Sequence, residues 1–258
     1  MINTYLSYQL ITRDMASSIE RIQTQPMVSR ETAYYLENIG KVKTMEEFVA
    51  DDRLFRYAMK AHGLEDMAYA KAFMVKALKE GIDEEDSFAN KLTDKRYRDF
   101  VNTFNFARYG AETTSFYSPT TGTVEKYLRQ TLEEEAGSQN EGVRLALYFQ
   151  RKAGSLKSYY EILADPALAQ VVRTALGFPP TLAQANIDKQ AAMIEERLAL
   201  EDLKDPAKLE EFLKRFTTMW EIQNPSNPMQ NSIAALFAQP AEAGISTDVL
   251  LTIAQMRK

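Results

Sequence analysis

Apolar residues recur along this chain every three to four positions and no stretch alternates apolar with polar ones, the periodicity of helices that bury one face. Ile11, Met15, Ile19 and Ile22 form a first stripe, which Gln23–Pro26 ends, since proline bars its predecessor from helical geometry. Further helices are expected at about Arg30–Asn38, Met45–Ala50, Arg53–His62, Asp66–Lys79 and Lys95–Arg108. "GAETTSFYSPTTGT", Gly110 to Thr123, then reads as a linker. Helices resume at about Val124–Glu135, Gly142–Lys152, Leu156–Leu163, Ala167–Leu176, Leu182–Leu200 and Ala207–Glu221. Two Asn-Pro steps in "NPSNPMQN", Asn224 to Asn231, favour turns and remove backbone donors. The remainder of the chain reads as an arm, with Ile233, Leu236 and Phe237 on one face and Ile245, Val249, Ile253 and Met256 on another.

One phrase is written twice. "VADDRLFRYAMKAHG", Val49 to Gly63, returns as "LADPALAQVVRTALG", Leu163 to Gly177. Aligned without gaps at an offset of 114, Arg30–Gly63 and Arg144–Gly177 share ten identities in 34 positions; composition alone would give roughly two. Thr44-x-x-Glu47 and Ser158-x-x-Glu161 both have the capping-box pattern, in which hydroxyl and carboxylate satisfy orphan amides at a helix start. Asp51 and Asp165 suit the cap of the next helix, with Pro166 at a first turn where a missing amide costs nothing. Gly63 and Gly177 can close that helix in the left-handed region. Leu92, Asp94, Phe100 and Phe104 echo Leu203, Asp205, Phe212 and Phe216 more faintly. The expected architecture is all-α, a multihelical bundle built from two degenerate internal repeats: 1–109, a linker at 110–123, a second repeat at 124–223 and a C-terminal arm at 224–258.

Composition removes several kinds of chemistry. Cysteine is absent, which excludes disulfides, thiolate metal sites and cysteine nucleophiles, and His62 is the single imidazole, too few for a multi-histidine metal centre within one subunit. A net charge of -5 without a clustered basic stripe argues against a nucleic-acid partner. No apolar run is long enough to span a bilayer, and Met1–Asp14 lacks the layout of a cleaved signal, so a soluble cytoplasmic protein is expected, with export by another route left open. Nucleophile elbows, phosphate-cradling glycine loops and dinucleotide fingerprints are missing, and no cofactor is expected.

The remaining candidates each have a structural reading. His62 has Leu176 as its repeat counterpart, so it reads as a helix-end residue rather than a proton shuttle. The acidic runs Asp83–Asp86, Glu133–Glu135 and Glu195–Glu196 lack calcium-loop spacing and read as solvated faces and helix starts. Met59, Met67, Met74, Tyr57, Tyr69 and Phe73 read most simply as core, with a Met-lined binding groove as the second reading. Trp220 packs in the core or anchors a partner beside the Pro-rich break, and the amphipathic chain ends dock on their own core or in another protein's groove.

"YYLENIGKVKT", "DDRLFRYAMKAHGLEDM" and "YAKAF" in the first half, with "IDKQAAMIEERLALEDLKDPAKLEEFLKRF" in the second, resemble the alphaproteobacterial domain-of-unknown-function family twelve-seventeen. The similarity runs over most of the chain up to the Asn-Pro break. It implies a helical protein often encoded among flagellar genes, with no catalytic residues to transfer. The expected function is therefore that of a non-enzymatic interaction or scaffold protein, associated with flagellar structure, assembly or regulation and meeting a protein partner. The residues expected to contact that partner are Trp220, Leu236, Phe237, Val249, Leu250 and Ile253. The alternatives are a carboxylate-based hydrolase or lyase, which needs two converging acids, and a helical small-molecule or peptide-binding module, which needs an enclosed apolar cavity.

Overall fold

The structure is a computed structural model that describes residues 3–224, and these form α-helices and 3-10 turns without a strand. The first half holds α1 (Thr4–Arg13), α2 (Met15–Gln23), α3 (Pro26–Ile39), α4 (Met45–Ala50), α5 (Asp52–Ala61), α6 (Lys71–Glu80), α7 (Phe88–Lys91), α8 (Lys95–Thr103) and α9 (Phe106–Tyr109). The second holds α10 (Thr121–Gln139), α11 (Glu141–Ala153), α12 (Tyr159–Ala164), α13 (Pro166–Leu176), α14 (Ile187–Glu195) and α15 (Pro206–Gln223). No described helix is long and apolar enough to cross a membrane.

The written repeat is a structural repeat. Moved back by 114 positions, α11, α12 and α13 fall on 27–39, 45–50 and 52–62, within one residue of α3, α4 and α5. Gly40 and Gly154 share nearly the same backbone, at φ -68, ψ -12 and φ -65, ψ -18. Glu47 and Glu161 accept the amides of Lys43 and Lys157 at 2.8 and 2.9 Å while their own amides donate to Thr44 and Ser158. Asp51 caps the amides of Arg53 and Leu54, as Asp165 caps those of Ala167 and Leu168. The second carboxylate oxygen of each cap accepts from a repeated tyrosine, Tyr34 at 2.8 Å and Tyr148 at 2.5 Å. Gly63 and Gly177 lie at φ 69 and 68, a region that side chains resist. The two caps should therefore respond alike: D51A and D165A are each expected to lower stability by about 1–2 kcal/mol, read as denaturant midpoints. A loss confined to one of them would deny the equivalence.

Each half closes a core of its own, and the two cores exchange helices. The first is aromatic, with Tyr35, Phe48, Phe55, Phe100 and Phe104 all buried. The second is largely aliphatic, with Leu147, Ile162, Val171, Val172, Ile194 and Leu213. Val124, Tyr127, Leu128 and Leu132 of α10 are buried in the first core, where Tyr127 stacks on Tyr57 at 3.8 Å. Conversely, Tyr8 of α1 is buried in the second, because α1 packs on α11 and α15. Ile11 and Met15 touch both.

Several expected helices are subdivided by local caps. The stripe Ile11–Ile22 is broken at Asp14, whose carboxylate accepts the Ser17 amide and starts α2, so its two pieces can point at different cores. Asn105 accepts the Arg108 amide and separates α8 from α9. Asn186 accepts the Asp188 amide and starts α14 inside the stretch Leu182–Leu200. Asp66–Lys79 resolves into a 3-10 turn at Glu65–Met67 and α6. Residues 110–115 form a 3-10 turn with Thr113 and Thr114 buried; the Thr114 hydroxyl donates to the Val42 carbonyl at 2.8 Å and Tyr35 donates to the Pro119 carbonyl.

Candidate interaction surface

Helix α1 runs antiparallel to α15. The Thr4 amide donates to Glu221 at 3.1 Å, the Thr4 hydroxyl also bonds Glu221, and the Lys214 ammonium stands over the Tyr5 ring. This pairing buries Tyr8 but turns Leu6 and Leu10 outward, at 45% and 55% exposure. Beside them opens a groove of about 960 Å3, walled by α1 on one side and by Leu203, Pro206 and Leu209 on the other, with Arg13, Lys204 and Glu210 among its charged residues. Leucines left in water on the wall of a recess mark a contact surface more strongly than isolated surface leucines do.

Trp220 stands at the far end of α15, half-buried against Phe216, with ring centroids 5.9 Å apart. Its indole lies over Gly142 at the start of α11, where an added Cβ would come within 2.3 Å of the ring. The glycine is what lets the two helices approach. Trp220 thus fixes the last turns of α15, the root from which the chain continues. Leu236, Phe237, Val249, Leu250 and Ile253 lie outside the described residues.

The acidic runs diverge. Asp83 pairs with Arg108, Glu84–Asp86 are exposed, and Glu195 and Glu196 point into solvent. Within Glu133–Glu135, Glu134 meets Lys60 at 2.7 Å and Glu135 meets Arg21. Glu133 corrects the expectation of a solvated face: it is 1% exposed, clamped between Arg129 at 3.1 Å and Arg151 at 2.7 Å. Arg129 also donates to the Leu147 carbonyl and to Gln150, so one carboxylate ties α10 to α11. Among the described residues no three acidic or imidazole groups gather as metal ligands would. Met59, Met74 and Tyr57 are buried in the first core and Met67 and Phe73 pack against it, as the pattern predicts, whereas Tyr69 is 79% exposed.

His62 ends α5 with its ring edge-on to Phe100 and Phe104. Burial pushes its pKa well below the ordinary imidazole value, and the charges of Lys126, Lys152 and Arg151 push the same way. The Lys126 ammonium, 3.5 Å from Nε2 and 3.2 Å from the Thr103 hydroxyl, matches a neutral ring accepting at Nε2. An unfolded chain takes up a proton near pH ~6.5 that the folded one refuses, so stability is full above that pH and falls as pH drops below it, by at most about 1.4 kcal/mol per pH unit. H62L, which installs the residue of the second copy, is expected to flatten this slope. Denaturant midpoints of the two proteins at pH about 7.5 and 5.5 check it; equal slopes would contradict it.

Sequence reasoning missed the groove and the Glu133 clamp. The groove arises where α1 meets α15, which no local pattern encodes. The clamp had a signal: Arg129 and Glu133 are spaced i, i+4 on the helix whose stripe includes Leu128 and Leu132.

Comparison with known proteins agrees with this architecture. Residues 61–209, more than half the chain and including the whole second copy, match the family described as "Protein of unknown function (DUF1217)". A crystal structure of an Agrobacterium tumefaciens protein is similar at 53% sequence identity and a TM-score of 0.80, over 86% of this chain and 94% of that one. No curated protein matches. The family match over more than half the chain, and an alphaproteobacterial relative of the same fold at 53% identity, place this chain in the DUF1217 family.

Proposed function

We propose that this protein is a non-enzymatic, helical interaction or scaffold protein that serves flagellar structure, assembly or regulation. The observation that carries the reading is where the chemistry has gone. The single histidine is held neutral beside Lys126, the buried carboxylate Glu133 is spent on two arginines, and the described surface carries an open groove beside the exposed Leu6 and Leu10. In this reading two copies joined through 110–123 make the framework. The arm, rooted at Trp220, meets a protein partner through Val249, Leu250 and Ile253, with Leu236 and Phe237 in the same apolar set. The flagellar connection rests on the family resemblance carried by the motifs of Ser29–Phe73 and Ile187–Phe216. An open groove suits a macromolecular surface better than an enclosed small molecule.

The test is genetic. Deleting the gene in the native bacterium is expected to impair swimming or filament formation, and the full-length protein should restore it. A chain carrying V249E, L250E and I253E together should fail to do so while keeping the same helical circular dichroism. Normal swimming and normal filaments in the deletion strain would overturn the motility assignment, and full rescue by the triple variant would overturn the arm's role.

A further inference from the structure

The groove between α1 and α15 is open and walled in part by leucines. We propose that in the free protein it seats Ile233, Leu236 and Phe237 of the C-terminal arm. Three observations converge on this occupant. The first is position: Glu221, in the last turn of α15, bonds Thr4, so α15 ends near the opening turn of α1, two residues before Leu6. The second is reach. The wall at Leu209 lies 15 residues back along α15 from Asn224, about 22 Å at the helical rise. Ile233 lies nine residues beyond Asn224, a tether of up to about 30 Å when extended. The third is chemistry. Pro225–Ala241 contains no charged side chain, so inserting it beside Leu6, Leu10 and Leu209 buries no ion. Its three apolar residues stand at i, i+3 and i+4, the spacing with which a helical turn anchors in a groove.

Tethering makes modest contacts sufficient. A segment held within reach has an effective concentration of order mM, well above what a separate peptide reaches in a cell. The stripe containing Val249, Leu250 and Ile253 stays free for a partner. Seating does not depend on that partner or on motility, and a failure of either proposal leaves the other intact.

Because the chain has no cysteine, the seating can be tested by a disulfide in the full-length protein. L10C with F237C is expected to crosslink within one chain upon mild oxidation, about tenfold or more faster than L36C with F237C, given the effective concentration at the seat. Leu36 is a fair control, being 50% exposed on α3 of the first half. In the cysteine-free chain, amide exchange across 233–237 should be slowed, and L10E should abolish that protection without altering exchange in the two cores. Equal crosslinking rates for the two pairs would overturn the proposal, as would protection that survives L10E. Crosslinks formed only between chains would overturn it too, giving the groove to a second copy.

Discussion

Replacing Glu133 with alanine is expected to destabilise the protein by about 3–5 kcal/mol, because removing one partner of a buried ion cluster leaves the others uncompensated. Arg129 and Arg151 converge on this carboxylate from α10 and α11, and Glu133 is 1% exposed. Without it two guanidinium groups face each other across a helix contact with little access to water. E133Q should cost less, since an amide oxygen still accepts one hydrogen bond although the charge is gone. The loss should reach both halves, because the clamp joins the helix that fills the first core to a helix of the second. Chemical denaturation followed at Trp220, which lies in the second half, and by circular dichroism over the whole chain would read it. A loss below about 1 kcal/mol, the worth of a surface pair, would show that the clamp is dispensable.

F48A is expected to cost a similar amount, about 3–5 kcal/mol, through a cavity that its neighbours cannot fill. Phe48 is wholly buried, stacked on Phe104 at 4.6 Å and edge-on to Phe55 at 5.9 Å. Its counterpart in the second copy is Ile162, equally buried but among aliphatic side chains. I162A should therefore cost about 2–5 kcal/mol. The aromatic site loses more volume and its ring contacts as well. Thermal melting of the two variants side by side measures this; a negligible change in F48A would mean that the first core does not hold the fold together.

The residues that punctuate helices were the legible part. Thr44, Glu47, Asp51, Gly63 and their partners Ser158, Glu161, Asp165 and Gly177 act through atoms a few positions away, so sequence spacing alone reveals them, and α4 begins and ends where its pattern predicts. Less visible were the breaks at Asp14, Asn105 and Asn186, where a short polar side chain starts a new helix within one apolar stripe. Partners distant in sequence were not readable. Nothing near Glu133 announces Arg151, and nothing near Leu6 announces Leu209. Trp220 stood in the pattern as an aromatic beside a break; its seat on Gly142 depends on how α11 crosses α15. The groove between α1 and α15 is thus the part that sequence shows least, being made where chain segments far apart come together.

The exchange of helices between the cores also orders events during synthesis. The ribosome releases α1 long before α15, yet Thr4 and Glu221, bonded in the finished molecule, are 217 residues apart in sequence. The seat of Tyr8 between α11 and α15 is therefore incomplete until α15, the last described helix, emerges, while α2 to α10 can already condense around Phe48. The nascent chain completes itself by a late, long-distance closure, and contacts of such range fold more slowly than those of a helical bundle built from neighbours.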